Sequence, residues 1–222
     1  MFTKFLSFVL LAGLARAATL QRRAVDFYNP AANGGSMLDS VGGGLGEPLN
    51  VIISGQSSPD VLTTDGVVNW ARAVGYSEEC FGLHSGDPQT ANLGDGNGST
   101  DQLVELRQDY HNTGVGTCWE SIVGGNHFRV WKQNGTAANS GALFLAASKE
   151  KPVTDHHTIV DDGYDVGRNE LVQNALGTKS HGGVTYSTTA RNVTGLLAAG
   201  ATGVNHGIAQ DGIVTLLTIT IV

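Results

Sequence analysis

The segment NHFRVWK, residues 126–132, alternates apolar and polar side chains and decides the fold. In an extended strand, Phe128 and Val130 fall on one face, and His127 and Arg129 fall on the other. An alternation of this length is typical of a β-strand rather than a helix. The segment therefore predicts a sheet strand that carries a histidine and an arginine on the same face.

The segments around this strand extend the sheet and add helices. ALFLAA, residues 142–147, is apolar throughout, which is typical of a central strand covered on both faces. The last residues, 217–221, alternate apolar and hydroxyl side chains and favour a final strand over the alternative, a lipid-anchor signal. N-caps at residues 63–65 and an apolar stripe from Val67 to Val74 predict a helix that Gly75 stops, and two further helices are expected over 100–110 and 166–176. Together these patterns predict an α+β fold, a single domain over 49–222 with a mixed β-sheet packed by about three helices.

The N-terminal residues carry the features of a secretion signal. Lys4 precedes a short apolar run, and a small-residue cleavage site follows, which predicts a signal peptide over residues 1–17. The dibasic pair Arg22-Arg23 predicts the end of a pro-segment over residues 18–23. Residues 24–48 are rich in Gly, Asn and Ser and predict an irregular arm. The protein is therefore expected to be secreted, in the extracellular space or at the cell wall.

The charge of the chain limits its partners. It carries 13 Lys and Arg against 20 Asp and Glu. Removal of residues 1–23 takes away four basic and no acidic residues, so the mature net charge is −11. Such a surface disfavours nucleic acid and, in the mature form, a membrane. A small molecule or an extracellular polymer is the expected partner.

Cysteines and sequons fit the same compartment. Cys80 and Cys118 are the two cysteines of the chain, and an even number in a secreted protein predicts one disulfide. Sequons at Asn97, Asn134 and Asn192 lie in segments rich in turn residues and predict surface N-glycosylation. The protein is therefore expected to be a disulfide-bonded glycoprotein.

One segment concentrates the side chains that could perform chemistry. Between residues 156 and 170 a histidine-bearing strand is expected to lead through several acidic residues into a helix. If it neighbours the strand 126–132, two imidazoles and a carboxylate could hold a divalent metal that activates water. The predicted metal ligands are His127, His157 and Asp161. The predicted catalytic residues, which include groups that stabilise developing negative charge, are Arg129, Asp165 and Arg168.

The same segment has an alternative, purely structural interpretation. Asp165 would cap the helix, and Arg168, on the apolar stripe of that helix, would pair with an acid at 161, 162 or 165. The histidines would then be hydrogen-bonded or exposed. The spacing matches no specific metal signature, and the chain contains neither a Gly-x-Ser-x-Gly motif nor a phosphate-binding loop with Lys.

The order of these motifs resembles a known family. An H-x-R-x-W strand, a strand of small residues, an HH-I segment and D-x-x-R follow each other over residues 49–176, as in the LssY C-terminal domain. Residues 48–55 and 86–98 are similar to secreted proteins of mushroom-forming fungi. The resemblance implies that His127, Arg129, His157, Asp165 and Arg168 form one neighbourhood. Two functions are expected from the sequence. The first is a secreted metal-assisted hydrolase. The second is a non-enzymatic extracellular or wall-associated protein with a binding or structural role.

Overall fold

A computed structural model describes residues 25–82, 87–156 and 158–222. The predicted signal peptide, the pro-segment, Ala24 and His157 lie outside these residues. The described chain contains three α-helices: α1 (Thr64–Ala73), α2 (Gly116–Val123) and α3 (Gly163–Ala175). Its strands are β1 (Val51–Ile53), β2 (Tyr76–Glu78), β3 (Thr90–Asn92), β4 (Ser99–Asp101), β5 (Val104–Gln108), β6 (Asn126–Asn134), β7 (Asn139–Lys149), β8 (Gly177–His181), β9 (Val184–Val193) and β10 (Val214–Ile221).

Eight of the strands form one mixed sheet, in the order β2-β5-β6-β7-β1-β10-β9-β8. The β1–β10 pair is parallel, and the other neighbours in this sheet are antiparallel. Strands β3 and β4 form a separate two-stranded sheet. This arrangement, with three helices, confirms the predicted α+β fold and its mixed sheet.

The sheet has a hydrophobic layer on each face. On the first face, Phe128 and Val130 pack with Trp70 of α1 and Leu171 of α3. Helix α1 contacts both edge strands, β2 and β8, so the sheet curls around it. The alternation in β6 places its odd-numbered residues on the second face, where Trp131 belongs to another apolar cluster. The alternation predicted for β6 therefore distributes its apolar side chains between the two hydrophobic layers.

Helix α3 lies close against β7. A Cβ atom on Gly167 would lie 2.6 Å from the Cα of Ser148, which is too close for two unbonded carbons. The missing side chain therefore lets the helix backbone approach the strand. On the same side, the amide of Asn126 donates to the carbonyl of Gly167 at 2.8 Å. These contacts fix the N-terminal half of α3 beside the end of the sheet.

Residues 25–48 extend across the second face of the sheet. They include a 3-10 helix, Pro30–Asn33, and several isolated bridges. Met37 is buried in the apolar cluster of this face, and Phe27 meets Phe144 of β7 edge to face at 6.2 Å. The arm thereby brings Asp39 and Glu47 beside the polar part of the sheet.

Two predicted elements differ from the structure. The helix predicted over 100–110 is wrong: β4 and β5 occupy these residues. Glu105 and Leu106 favour a helix in isolation, but the period-two alternation of Val104 to Arg107 buries Leu106 and pairs the charged residues with β6. The strand expected through residues 157–159 is reduced, in the described residues, to one bridge between Glu150 and Ile159.

The predicted disulfide is present. Cys80 and Cys118 are joined, and their Cα atoms lie 4.6 Å apart. The bond connects a short 3-10 helix, Cys80–Gly82, to α2, which sequence reasoning did not predict. The disulfide therefore anchors α2, which is a short helix, to the neighbouring segment of the chain.

Candidate functional site

Four charged or titratable side chains project from β5 and β6 onto the second face of the sheet. In the register of the two strands, Glu105 lies opposite Arg129 and Arg107 lies opposite His127. Cross-strand partners of this kind approach closely enough for their side chains to interact. The alternation of each strand therefore assembles two arginines, a histidine and a glutamate in one patch.

Arg107 lies at the centre of a group of carboxylates. Its Nη2 lies 2.7 Å from Glu105 Oε1, and its Nη1 lies 3.0 Å from Glu150 Oε2 and 3.2 Å from Glu120 Oε2. Its Nε lies 3.6 Å from Glu79 Oε1. All three guanidinium nitrogens therefore face carboxylates, which come from β5, α2, the residue after β7 and the segment after β2.

Arg129 extends the same network towards the arm. Its Nη1 donates to Glu47 at 2.9 Å, and its Nε lies 3.1 Å from Glu105 Oε2. One carboxylate oxygen of Glu105 therefore contacts Arg107 and the other contacts Arg129. We call the group of Asp39, Glu47, Glu105, Arg107, Glu120, His127, Arg129 and Glu150 the Arg107 cluster.

His127 is 1% exposed and lies within this cluster. Its Nε2 is 3.0 Å from Arg129 Nη1 and 3.3 Å from Ser148 Oγ. A guanidinium group can only donate, so Nε2 accepts and the ring proton is assigned to Nδ1, 3.5 Å from Glu150 Oε1. The ring therefore connects Arg129 to Glu150.

The order Ser148, His127, Glu150 is that of a nucleophile, a base and an acid. Ser148 is itself 1% exposed, and the backbone of Gly167 lies against its Cα. A substrate carbonyl has no approach to Ser148 Oγ in this packing. His127 and Glu150 can share a proton in this arrangement, but Ser148 is not accessible to act as a nucleophile.

Carboxylates outnumber arginines in the cluster, and this surplus changes their protonation. Burial, reinforced by the neighbouring Glu47, raises the pKa of Asp39 to about 7. Burial also raises the pKa of Glu120 to about 7, although Arg107 opposes the shift. Burial raises the pKa of Glu47 as well. Near neutral pH, the cluster therefore keeps protons that exposed carboxylates would have lost.

Arg168 and Asp165 lie in a second, separate group. Arg168 is 3% exposed, and its Nη1 and Nη2 lie 2.6 and 2.9 Å from the two carboxylate oxygens of Asp211. Its Nη1 also donates to the carbonyl of Ile213 at 2.9 Å and to Asp165 at 3.3 Å. No hydrogen bond or ion pair between described residues joins this group to His127 or Arg129.

The partner of Arg168 corrects part of the structural interpretation. Of the three acids considered, Asp165 contacts Arg168, but the main partner is Asp211 from the loop before β10. The αL residue before α3 is Asp162, and the helix begins at Gly163, so Asp165 lies in the first turn rather than at the cap. Asp211 lies in a Gly-rich stretch without a periodic pattern, so no sequence pattern pointed to it as the partner of Arg168.

The structure does not bring the described metal candidates together. The Asp161 side chain is fully exposed and lies 4.0 Å from Lys151 Nζ, whereas His127 is buried in the Arg107 cluster. Among the residues with described positions, no three His, Cys, Asp or Glu side chains are arranged to hold a metal ion. His127 and Asp161 therefore do not fit one metal site, and His157 lies outside the described residues.

Sequence reasoning missed most of the cluster. Glu47, Glu105, Arg107, Glu120 and Glu150 were not among the predicted site residues. A signal existed for two of them: if residues 104–107 are read with period two, Glu105 and Arg107 fall on one face, as His127 and Arg129 do. Glu47 and Glu120 come from the arm and from α2, whose positions depend on tertiary packing.

The sequon asparagines are all exposed, at three positions on the surface. Asn97 Nδ2 lies 3.2 Å from Asn134 Oδ1, so two of the predicted glycosylation sites are neighbours. Asn192 lies on β9, where its Oδ1 accepts from Thr215.

The chain matches no protein-family model, no curated protein and no solved structure. The resemblance to the LssY C-terminal domain therefore stays a prediction. Within the described ranges, no helix is long and apolar enough to cross a membrane.

Proposed function

We propose that this protein is a secreted, N-glycosylated extracellular protein that acts by binding an extracellular polymer, and that its Arg107 cluster stabilises the fold. The Cys80–Cys118 disulfide supports an oxidising compartment. The exposed sequon asparagines and the acidic charge of the mature chain also support an extracellular location. The resemblance to fungal secreted proteins supports the same location, at the cell surface or the wall.

The observation that carries the structural role is the saturation of Arg107. Its three guanidinium nitrogens face Glu79, Glu105, Glu120 and Glu150, which come from four different segments. A catalytic arginine would instead direct donors towards the place where substrate charge develops. In this fold the guanidinium ties the segments together.

A hydrolysis screen combined with unfolding measurements tests this proposal. The purified protein is incubated with chromogenic esters, phosphate esters and glycosides, next to a His127→Asn variant. We expect no turnover by either protein, and a lower melting temperature for the variant because a buried connection is lost. Turnover that disappears in a folded His127→Asn variant would overturn the structural role.

Hydrolysis at the cluster is the second candidate, and one observation favours it. A cavity of about 360 Å³ is lined in part by Glu79 and Glu105, beside Arg107. Glu120, whose pKa is raised to about 7, does not line this cavity, but Glu120 and the lining residue Glu105 both contact Arg107. A group with such a pKa could exchange a proton at neutral pH close to the cavity. Elemental analysis of the purified mature protein and of a His157→Ala variant decides whether a divalent metal takes part. Stoichiometric metal that the variant loses would favour this candidate.

A further inference from the structure

Helix α2 presents an apolar face to solvent. Val115, Trp119 and Ile122 are spaced as one stripe along the helix, and each side chain is more than half exposed. Trp119 is 55% exposed, whereas Trp70 and Trp131 are fully buried. Large apolar side chains gathered on one face are typical of interaction surfaces rather than of a random distribution.

Two further side chains enlarge this stripe. Phe81 follows Cys80, which is bonded to Cys118 on the same face of α2, and Phe81 is 81% exposed. Val153 belongs to a short 3-10 helix that packs against α2, and it is also exposed. We call Phe81, Val115, Trp119, Ile122 and Val153 the α2 patch.

The α2 patch is held in place by covalent and polar contacts. The Cys80–Cys118 bond joins the residues that precede Phe81 and Trp119 in the chain. Phe81 has a φ of 55°, a conformation that is unfavourable for a bulky side chain, next to the anchored Cys80. Tyr110, before α2, donates its hydroxyl to the carbonyl of Gly124, after α2, at 2.7 Å. A surface held in this way loses little conformational entropy on binding.

The helix that carries the patch offers no exposed charge. Residues 110–124 contain no Lys or Arg, and their one acid, Glu120, is buried against Arg107. Besides His111, the stretch carries the neutral polar side chains Asn112, Thr113 and Ser121. Near Phe81, Glu79 is turned towards Arg107 and Glu78 pairs with Arg72 at 2.7 Å. At the Val153 edge of the patch, Asp155 is exposed and Lys151 is partly exposed, so the absence of exposed charge is a property of α2 itself. In a chain of net charge −7, the uncharged face of α2 favours an uncharged partner.

We propose that the α2 patch binds a neutral extracellular polysaccharide, with Trp119 and Phe81 packing against the C–H faces of sugar rings. The negative face of an aromatic ring attracts such C–H groups, and the neutral amide and hydroxyl side chains beside the patch can hydrogen-bond sugar hydroxyls. A second copy of this acidic chain would bring like charges together, which disfavours self-association. This inference rests on the proposed binding function and names its partner class.

Cosedimentation with insoluble neutral polysaccharides tests the assignment. The mature protein, Trp119→Ala and Phe81→Ala are mixed with cellulose, insoluble β-1,3-glucan and chitin, at 0.15 and 1 M NaCl. Leu176→Ala, which removes an exposed apolar side chain at the end of α3, is the matched control. Near-UV circular dichroism verifies that each variant is folded.

We expect binding to at least one polysaccharide that is unchanged by salt and by Leu176→Ala, and at least tenfold weaker in Trp119→Ala. Wild-type protein that sediments with none of them would overturn the assignment. Binding only to phosphatidylcholine vesicles, or a dimer abolished by Trp119→Ala in analytical ultracentrifugation, would also overturn it. If Trp119→Ala binds a polysaccharide as the wild type does, the α2 patch is wrong but the binding function stands. Turnover dependent on His127 would instead contradict the binding function itself.

Discussion

Arg168 and Asp211 form a bidentate ion pair that joins α3 to the loop before β10, with N–O distances of 2.6 and 2.9 Å. The guanidinium group is buried, whereas the carboxylate is about one third exposed. The hydrogen bond of Arg168 to Asp211 lowers the pKa of that carboxyl. The arginine therefore stabilises the packing of α3 and has little capacity left for a ligand.

Replacement of Arg168 by Ala should destabilise the protein by roughly 2 to 4 kcal/mol, because it leaves Asp211 and the carbonyl of Ile213 without their donor. Asp211→Asn should cost less, since an amide can still accept one hydrogen bond. Urea unfolding of the two single variants and the double variant measures the coupling. Additive losses in the double variant would show that the pair is not a unit.

The stability should depend on pH through Asp39 and Glu120. Their pKa values are raised to about 7 in the folded protein from ordinary values of 3.8 and 4.5. Between about pH 4 and pH 7 the folded state therefore binds more protons than the unfolded state, so stability falls as the pH rises through this window. Melting temperatures measured from pH 4 to pH 8 should decline towards the alkaline end.

Matched variants separate this effect from other titrations. Asp39→Asn and Glu120→Gln should each flatten the decline, because the amide no longer loses a proton. Asp211, whose pKa is lowered, contributes stability that is lost only as the pH falls below its ordinary value of 3.8, so Asp211→Asn should leave the decline in place. An unchanged slope in both amide variants would refute the assignment to these two groups.

Gly167 should not tolerate a side chain. A Cβ atom there would meet the backbone of Ser148 at 2.6 Å, and backbone cannot move aside as a flexible side chain can. Gly167→Ala should therefore destabilise by about 2 kcal/mol or more, despite the better helix propensity of Ala. Gly114→Ala is the control, because its Cβ would meet only the end of the Asn112 side chain at 3.4 Å. Chemical denaturation that gives equal stabilities for both variants would contradict the close packing of α3 on β7.

More of the fold than of the candidate site could be predicted from the sequence. Hydrophobic periodicity located β6 and β7 because each residue of a strand reports directly which face it occupies. It failed over residues 100–110, where helix-forming side chains alternate with period two and the neighbouring strand decides the outcome. That error also concealed Glu105 and Arg107, so the central arginine of the cluster was not recognised.

Sequence spacing did not show which of the candidate residues lie together. His127 and Arg129 do share a face with an acidic partner, but the acids are glutamates from other segments. Asp165 and Arg168 form a separate pair with Asp211, whose distance of 43 residues from Arg168 left no local pattern to read. Contacts between distant segments are set by tertiary packing, which sequence spacing does not encode.

The unfolding free energy of Arg107→Met at pH 7 tests most directly whether the Arg107 cluster stabilises the fold. Because Glu105, Glu120 and Glu150 would be left facing one another in a buried position, we predict a loss of roughly 3 to 5 kcal/mol. Arg72→Met, which removes an exposed pair with Glu78, should change stability by less than about 1 kcal/mol. Residues at functional sites often lower the stability of the fold. An Arg107→Met variant that is as stable as the wild type, or more stable, would therefore contradict the structural role and favour a catalytic one.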